Sequence, residues 1–127
     1  MHEASLAGGI LQLVEDAAQR EGFSRVTVLR LEAGQLAGVE ARALRFALEA
    51  LSPGTCLQGA RFDIDEPPGQ AWCLPCSANV TINQRGDACP QCGSYQLQPT
   101  GGTELRVVDM LVEDEVPDPN LEITPCV

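Results

Sequence analysis

Hydrophobic residues recur at helical spacing in two segments of the chain. From residue 4 to residue 20 the apolar positions follow the i, i+3/i+4, i+7 pattern of an amphipathic helix, which Gly22 ends. Residues 39 to 51 predict a second helix, which a Ser-Pro-Gly sequence ends. The apolar positions that we expect to face a core are Leu6, Ile10, Leu13, Val14 and Ala17 in the first helix and Val39, Ala43, Leu44, Phe46, Ala47, Leu48, Ala50 and Leu51 in the second.

Three other segments have the composition and alternation of β-strands. Residues 24 to 34 and 104 to 114 are rich in β-branched and aliphatic residues, and residues 60 to 66 alternate strictly between apolar and polar. The strand-helix-strand order of the first two strands favours a right-handed parallel crossover. We therefore predict an α+β fold, in which a small three-stranded mixed sheet is covered by two helices.

The composition changes between residues 67 and 102, where turn residues and four cysteines replace the aliphatic pattern. The cysteines form two CxxC pairs, and each pair bends the chain into a knuckle that directs two sulfurs at one point. Four thiolates in this arrangement favour a structural Zn(II) ion, and Gly93 allows the tight turn after the second pair. An iron or iron–sulfur site and a pair of disulfides remain open as alternatives. The four predicted ligands are Cys73, Cys76, Cys89 and Cys92, and we assign no role to Cys56 and Cys126.

Charge and composition limit the classes of function that the protein can have. Hydrophobic residues make up 44% of the 127 residues, enough for a core, and the formal net charge is −10. A surface this acidic argues against binding to nucleic acid or to an anionic membrane. Neither a membrane span nor a signal peptide is recognisable, so we expect a cytoplasmic protein with reduced thiols.

The only histidine of the chain is His2, which follows Met1 and precedes a helix. It can be read as a frayed terminal residue. It can also be a metal ligand, because the α-amine of Met1, the amide nitrogen of His2 and its imidazole can close adjacent chelate rings, and Glu3 can add a further group. Planar sets of nitrogen ligands favour Ni(II) or Cu(II).

Four motifs together resemble one protein family. They are MHE at the terminus, FALE in the second helix, the CxxC…CPxCG segment and GGTELRVVDM in the last strand. In this combination, residues 1 to about 114 resemble the HypA/HybF nickel metallochaperones of [NiFe]-hydrogenase maturation.

The resemblance implies a carrier that binds Ni(II) transiently and delivers it to the hydrogenase large subunit precursor, with the GTPase HypB as partner. It implies that His2 is the essential nickel ligand, that Glu3 contributes to the nickel site, and that the four cysteines bind zinc. Glu40 stands where some members complete the nickel site, although an acidic residue at a helix start is also stabilised by the helix dipole.

On this basis residues 1–66 and 103–114 are expected to form a nickel-binding α+β domain, residues 67–102 a zinc-binding lobe and residues 115–127 a flexible acidic tail. No Ser/His/Asp or Cys/His set and no phosphate-binding loop are recognisable, which indicates a carrier and not an enzyme. The alternative functions are a zinc-ribbon adaptor without a second metal site and an iron-containing redox protein. A homodimer is left open.

Overall fold

The structure, a computed structural model, describes residues 2 to 114; Met1, the expected acidic tail and Cys126 lie outside this range. Within it the chain forms two helices and six strands. Their bounds are α1 His2–Glu21, β1 Phe23–Ala33, α2 Ala41–Leu51, β2 Arg61–Asp65, β3 Gly69–Cys73, β4 Ala78–Ile82, β5 Leu97–Gly101 and β6 Leu105–Asp114. Helix α1 begins two residues before its predicted start, and α2 begins two residues after, because Glu40 caps it.

The main sheet has the strand order β2-β1-β6. Strand β1 pairs with β2 in parallel and with β6 antiparallel, which confirms the predicted mixed sheet. Both helices and the sheet share one hydrophobic core, because the apolar stripes of the helices and one side of each strand are removed from water together. The largest fully buried side chains of this core are Leu29, Leu31, Leu44, Leu48, Leu57, Val14 and Val26.

Five residues that we expected to face the core are exposed, namely Leu13, Ala43, Phe46, Ala50 and Leu51. The exposed fractions are 52% for Leu13, 73% for Phe46 and 41% for Leu51. The expectation was wrong at these positions because the apolar residues of each helix extend around more of its circumference than the stripe that meets the core. In α2 the side facing the core is occupied by Leu44 and Leu48.

A second sheet was not predicted from the sequence pattern. One of its strands ends at the first CxxC pair, one lies between the two pairs and one follows the second pair. It is antiparallel, with the order β4-β3-β5, and each of its strands has five residues. These strands are short and contain Gly, Pro or Asn, so their alternation is too brief to recognise. They enclose a small core of their own, which consists of Leu36, Ala71, Cys73, Val80, Ile82 and Cys89.

The two sheets are joined where glycine backbones cross. The amide of Gly34, just after β1, donates to the carbonyl of Glu104 (3.0 Å), and the amide of Leu36 donates to the carbonyl of Gly102 (2.8 Å). A Cβ atom on Gly34 would lie 2.2 Å from the carbonyl oxygen of Gly102, so only glycine permits this approach. Leu36, which is 2% exposed, then enters the core of the second sheet.

Replacing Gly34 by alanine should therefore lower the free energy of unfolding by about 1–3 kcal/mol, the usual cost of overpacking. The matched control is Gly9→Ala in α1, where a Cβ meets nothing within 4 Å. That substitution should raise stability by about 0.5–1 kcal/mol, because alanine loses less backbone entropy on folding. Denaturant unfolding of the two variants measures the difference in stability. Equal stabilities would contradict the close approach of the Gly34 and Gly102 backbones.

Candidate metal centres

Four cysteine sulfurs meet beside the second sheet. Cys73 ends β3 and Cys76 lies in the turn before β4, whereas Cys89 and Cys92 lie in the connection from β4 to β5. All four Sγ atoms lie within 4.8 Å of one another. The separation is 3.6 Å between Cys73 and Cys92 and 3.9 Å between Cys76 and Cys89. The two pairs therefore converge on one point, as the spacing of the sequence predicted.

These separations fit a metal ion. A tetrahedral zinc with Zn–S bonds of about 2.3 Å places its sulfurs about 3.8 Å apart. A disulfide bond would require about 2.05 Å, and the four thiols are free, so the disulfide alternative is wrong for these residues. A tetrahedral set of four sulfurs suits Zn²⁺ or iron.

Each knuckle ends in a residue whose backbone has the left-handed conformation. Gly93, which follows Cys92, has φ +78°, as expected from the sequence. Ser77 occupies the same place after Cys76 with φ +51°, a conformation that costs a non-glycine residue roughly 1 kcal/mol or more. In the second knuckle the amide of Gln91 donates to Cys89 Sγ (3.4 Å). The backbone is thus shaped around the sulfurs, and it offers N–H groups to them.

Crowding and burial alter the pKa values of the cysteine thiols. Hydrogen bonding among the crowded thiols, chiefly with Cys92, raises the pKa of Cys76 to about 12, and burial raises the pKa of Cys73. At Cys89 burial acts in the same direction, but hydrogen bonds from the amides of Cys92 and Gln91 bring its pKa down to about 7. Four adjacent thiolates repel one another, and a bound divalent ion offsets that repulsion.

The second group of predicted ligands lies at the start of α1. The His2 side chain is 57% exposed, and its Nδ1 atom lies 3.9 Å from Oε2 of Glu3. Glu3 is buried, and its Oε2 atom accepts a hydrogen bond from the backbone N–H of Glu40 (3.0 Å). That hydrogen bond is the main reason why the pKa of Glu3 is lowered to about 2. His2, Glu3 and Glu40 are therefore close together in space, and Glu3 stays ionised at neutral pH.

Glu40 has a clear structural role. Its backbone is extended (φ −86°, ψ 109°), and its Oε1 atom accepts from the amide of Ala43 at 2.9 Å. The side chain thus caps α2 by satisfying one of the amides that have no partner within the helix. Its predicted role as a nickel ligand stays a prediction.

Sequence reasoning missed the contact between Glu3 and Glu40. The two residues are 37 positions apart in the chain, and the contact uses the backbone of Glu40, which carries no residue-specific signal. The sequence indicated Glu40 only as an acidic residue near the start of a helix, which the helix dipole stabilises.

Among residues 2 to 114, no helix is both long and apolar enough to cross a membrane.

Comparison with known proteins identifies the family. Residues 1–112 match the family model described as HypA, hydrogenase/urease nickel incorporation, metallochaperone. The hydrogenase maturation factor HypA of Polaromonas naphthalenivorans (strain CJ2) is 75% identical over 91% of this chain and all of its own length. The protein of the same name from Cupriavidus necator is 71% identical over 90% of this chain and 96% of its own.

The fold also matches a solved structure. The solution structure of the Ni metallochaperone HypA from Helicobacter pylori superposes with a TM-score of 0.64, at 21% identity, over 91% of this chain and all of that chain. At that identity the likeness concerns the fold. Because the family model covers 112 of the 127 residues and the two relatives match over nearly their full length, the chain belongs to the HypA family of nickel metallochaperones for hydrogenase maturation.

Proposed function

We propose that the protein binds one Ni(II) ion at its N-terminus and delivers it for assembly of the [NiFe]-hydrogenase active site. The observation that carries the proposal is the position of His2. It is the only histidine of the sequence, it is 57% exposed, and it lies beside the ionised carboxylate of Glu3. Imidazole is the neutral nitrogen ligand that suits Ni(II).

The proposed ligands are the α-amine of Met1, the imidazole and amide nitrogen of His2, and Glu3, with Glu40 as a further candidate. The first amides of a helix have no backbone acceptor within the helix, so the amide nitrogen of His2 can serve the metal without breaking an intrahelical bond. The carboxylate of Glu3 already accepts from Glu40. Its proposed contribution is to hold the start of α1 against α2 and to supply negative charge beside the cation.

Delivery follows from the exposure of this site. A partner can reach the imidazole of His2 directly, so its own ligands can replace those of the carrier one at a time. Nickel is the cargo in this scheme. The second metal is a resident ion: Cys73, Cys76, Cys89 and Cys92 would hold zinc, which supplies a rigid tetrahedral centre and has no step in the transfer.

The remaining expectations form part of the proposal. Residues 1–66 and 103–114 would form the nickel-binding domain, and residues 67–102 a zinc lobe oriented by the glycine crossing. A HypB-type GTPase would supply nucleotide hydrolysis, and the hydrogenase large subunit precursor would receive the metal in the cytoplasm. The protein itself would act as a carrier without catalytic residues.

Blocking the N-terminus tests the proposal. Zinc-loaded protein with its native terminus should bind one equivalent of Ni(II), whereas a form with a short extension before Met1 should lose that binding, because the amine is converted to an amide and His2 leaves the terminus. The same extension placed at the C-terminus is the matched control. Isothermal titration calorimetry and the absorbance of planar Ni(II) measure the result.

If the N-terminally extended form bound nickel as tightly as the native form, the amine would not be a ligand. If neither form bound nickel, the zinc-ribbon adaptor without a second metal would be the better function.

A further inference from the structure

The four cysteines of the cluster differ in their exposure to solvent. Cys73 is fully buried and Cys89 is 3% exposed, and both belong to the core of the second sheet. Cys76 is half-buried, and Cys92 is exposed. The first cysteine of each CxxC pair is therefore enclosed, whereas the second lies nearer the surface. A reagent in solution reaches Cys92 more easily than any other sulfur of the cluster.

Backbone amides stabilise the four sulfurs unequally. The amide of Gln91 donates to Cys89 Sγ (3.4 Å), and the amide of Cys92 donates to the same sulfur. The amide of Cys76 donates to the sulfur of Cys73. Among residues 2 to 114, no backbone amide donates to the sulfur of Cys76 or Cys92. The two enclosed sulfurs are thus also the two that accept from the backbone.

These differences affect reactivity once a metal ion is bound. The ligands of a zinc ion are thiolates, so all four sulfurs are then ionised. An N–H group that donates to a thiolate stabilises its negative charge and makes it a weaker nucleophile. Access and amide bonding therefore decide which sulfur reacts first. Cys92 satisfies both conditions, because it is exposed and accepts from no amide, whereas Cys76 satisfies only the second.

A second thiolate lies close enough to complete a disulfide bond. Cys73 Sγ is 3.6 Å from Cys92 Sγ, whereas an S–S bond is about 2.05 Å long. The burial of Cys73 does not prevent this step, because its partner belongs to the same cluster and no reagent has to enter the core.

We propose that Cys92 is the site at which a two-electron oxidant, such as hydrogen peroxide, modifies the cluster and causes it to release its metal ion. The thiolate of Cys92 attacks one peroxide oxygen. An S–O bond forms while the O–O bond breaks, and the departing hydroxide takes up a proton to become water. The thiolate of Cys73 then attacks Cys92 Sγ. An S–S bond forms while the S–O bond breaks, and the second hydroxide is protonated in turn.

The net reaction oxidises two thiolates to one disulfide and reduces one peroxide to two molecules of water. The cluster keeps two of its four ligands, so its affinity for the ion falls and the second sheet loses the centre that stabilises it. A dithiol reductant reverses the modification, because it reduces the disulfide and is itself oxidised. This inference rests on the zinc site of the proposed function and is independent of the nickel site.

Alkylation of the zinc-loaded protein identifies the reactive sulfur. The protein carries Cys126→Ser, so that the thiol outside the described residues does not compete. One equivalent of iodoacetamide, followed by peptide mass spectrometry, should label Cys92 at least tenfold more than Cys73 or Cys89, and more than Cys76. Labelling that is equal among the four cysteines, or greatest at one of the other three, would overturn the proposal.

Oxidation of the same protein tests the reaction itself. One equivalent of hydrogen peroxide should give a disulfide between Cys73 and Cys92, and a chromophoric zinc chelator should report release of the ion at the rate at which that disulfide forms. Dithiothreitol with added zinc should restore the original zinc content. A protein that retains its zinc when Cys92 is oxidised would contradict the proposal.

Histidine at one position of the cluster separates Cys92 from its neighbours, because zinc sites with three cysteines and one histidine are common. Cys92→His should bind zinc and release it to peroxide at least tenfold more slowly than the native cluster. The matched control is Cys76→His, which keeps Cys92 and should release zinc at about the native rate. Equal rates for the two variants would overturn the proposal. If either variant fails to hold zinc, the alkylation pattern of the unchanged cluster still decides.

The zinc content before treatment separates this inference from the proposed function. A protein purified without zinc would contradict both. A protein that holds one equivalent of zinc but reacts first at another cysteine would contradict only the role of Cys92, and the zinc site would stand.

Discussion

Replacing His2 by alanine is expected to abolish binding of Ni(II) at the N-terminus while zinc content and fold are retained. The chain has no second histidine that could take over. Without the imidazole the second chelate ring cannot form, and the amine, the amide nitrogen of residue 2 and the carboxylate of Glu3 remain as a much weaker ligand set. The side chain is 57% exposed, so its removal leaves no cavity and should change the free energy of unfolding by less than about 0.5 kcal/mol.

Calorimetric titration with Ni(II), together with zinc analysis and thermal unfolding, measures this prediction. Gln12→Ala is a suitable control, because it lies on the exposed side of the same helix and loses only a surface hydrogen bond to Asp16. Glu40→Gln separates the two roles of Glu40. Its amide oxygen can still cap α2, so a loss of nickel affinity at unchanged stability would indicate a ligand. If His2→Ala bound nickel with the affinity of the native protein, the proposal of an N-terminal site would be wrong.

Replacing Cys73 by serine is expected to remove the zinc and unfold the second sheet. Cys73 is fully buried and belongs both to the cysteine cluster and to the small core of β3, β4 and β5. A serine hydroxyl does not ionise at neutral pH and cannot replace the thiolate. Structural zinc sites contribute about 10–16 kcal/mol of binding free energy to folding. A core of six residues, two of which are the proposed ligands Cys73 and Cys89, cannot offset a loss of that size.

The main sheet should survive this change, because its core of aliphatic residues is separate from the cysteine cluster. Hydrogen exchange should therefore become fast in residues 69–101 and stay slow in β1. The matched control is Cys56→Ser, a buried cysteine outside the cluster. Burial raises the pKa of Cys56 to about 11, so this thiol is neutral and should not bind metal. Equal zinc content in both variants would show that Cys73 is not a ligand.

The elements with long periodic patterns were predictable. Helices α1 and α2 and strands β1, β2 and β6 were identified from residue spacing, with bounds correct to within about two residues. The parallel pairing of β1 with β2 followed from the strand-helix-strand order of this part of the chain. The convergence of four sulfurs followed from two CxxC pairs, because the geometry of each knuckle depends on residues that are adjacent in the chain.

Other features had no local pattern. The short strands β3, β4 and β5 are stabilised by pairing with one another and by the residues they enclose, so their sequences alone are too brief to be distinctive. The burial of Leu36 in the second core depends on the crossing of Gly34 and Gly102, which lie 68 positions apart. Whether Phe46 is exposed depends on which elements pack against α2. The helical spacing of Phe46 does not contain that information.

Residue spacing and motif order were enough to predict the helices and strands of the main sheet layer, the four-sulfur cluster and the family, because each depends on neighbouring residues or on motifs read in sequence. Contacts between distant segments established that Glu3 joins the start of α1 to the start of α2, that glycine backbones orient the second sheet, and that α2 presents an uncovered row of residues. The free energy of such contacts depends on three-dimensional packing, which a linear pattern does not contain.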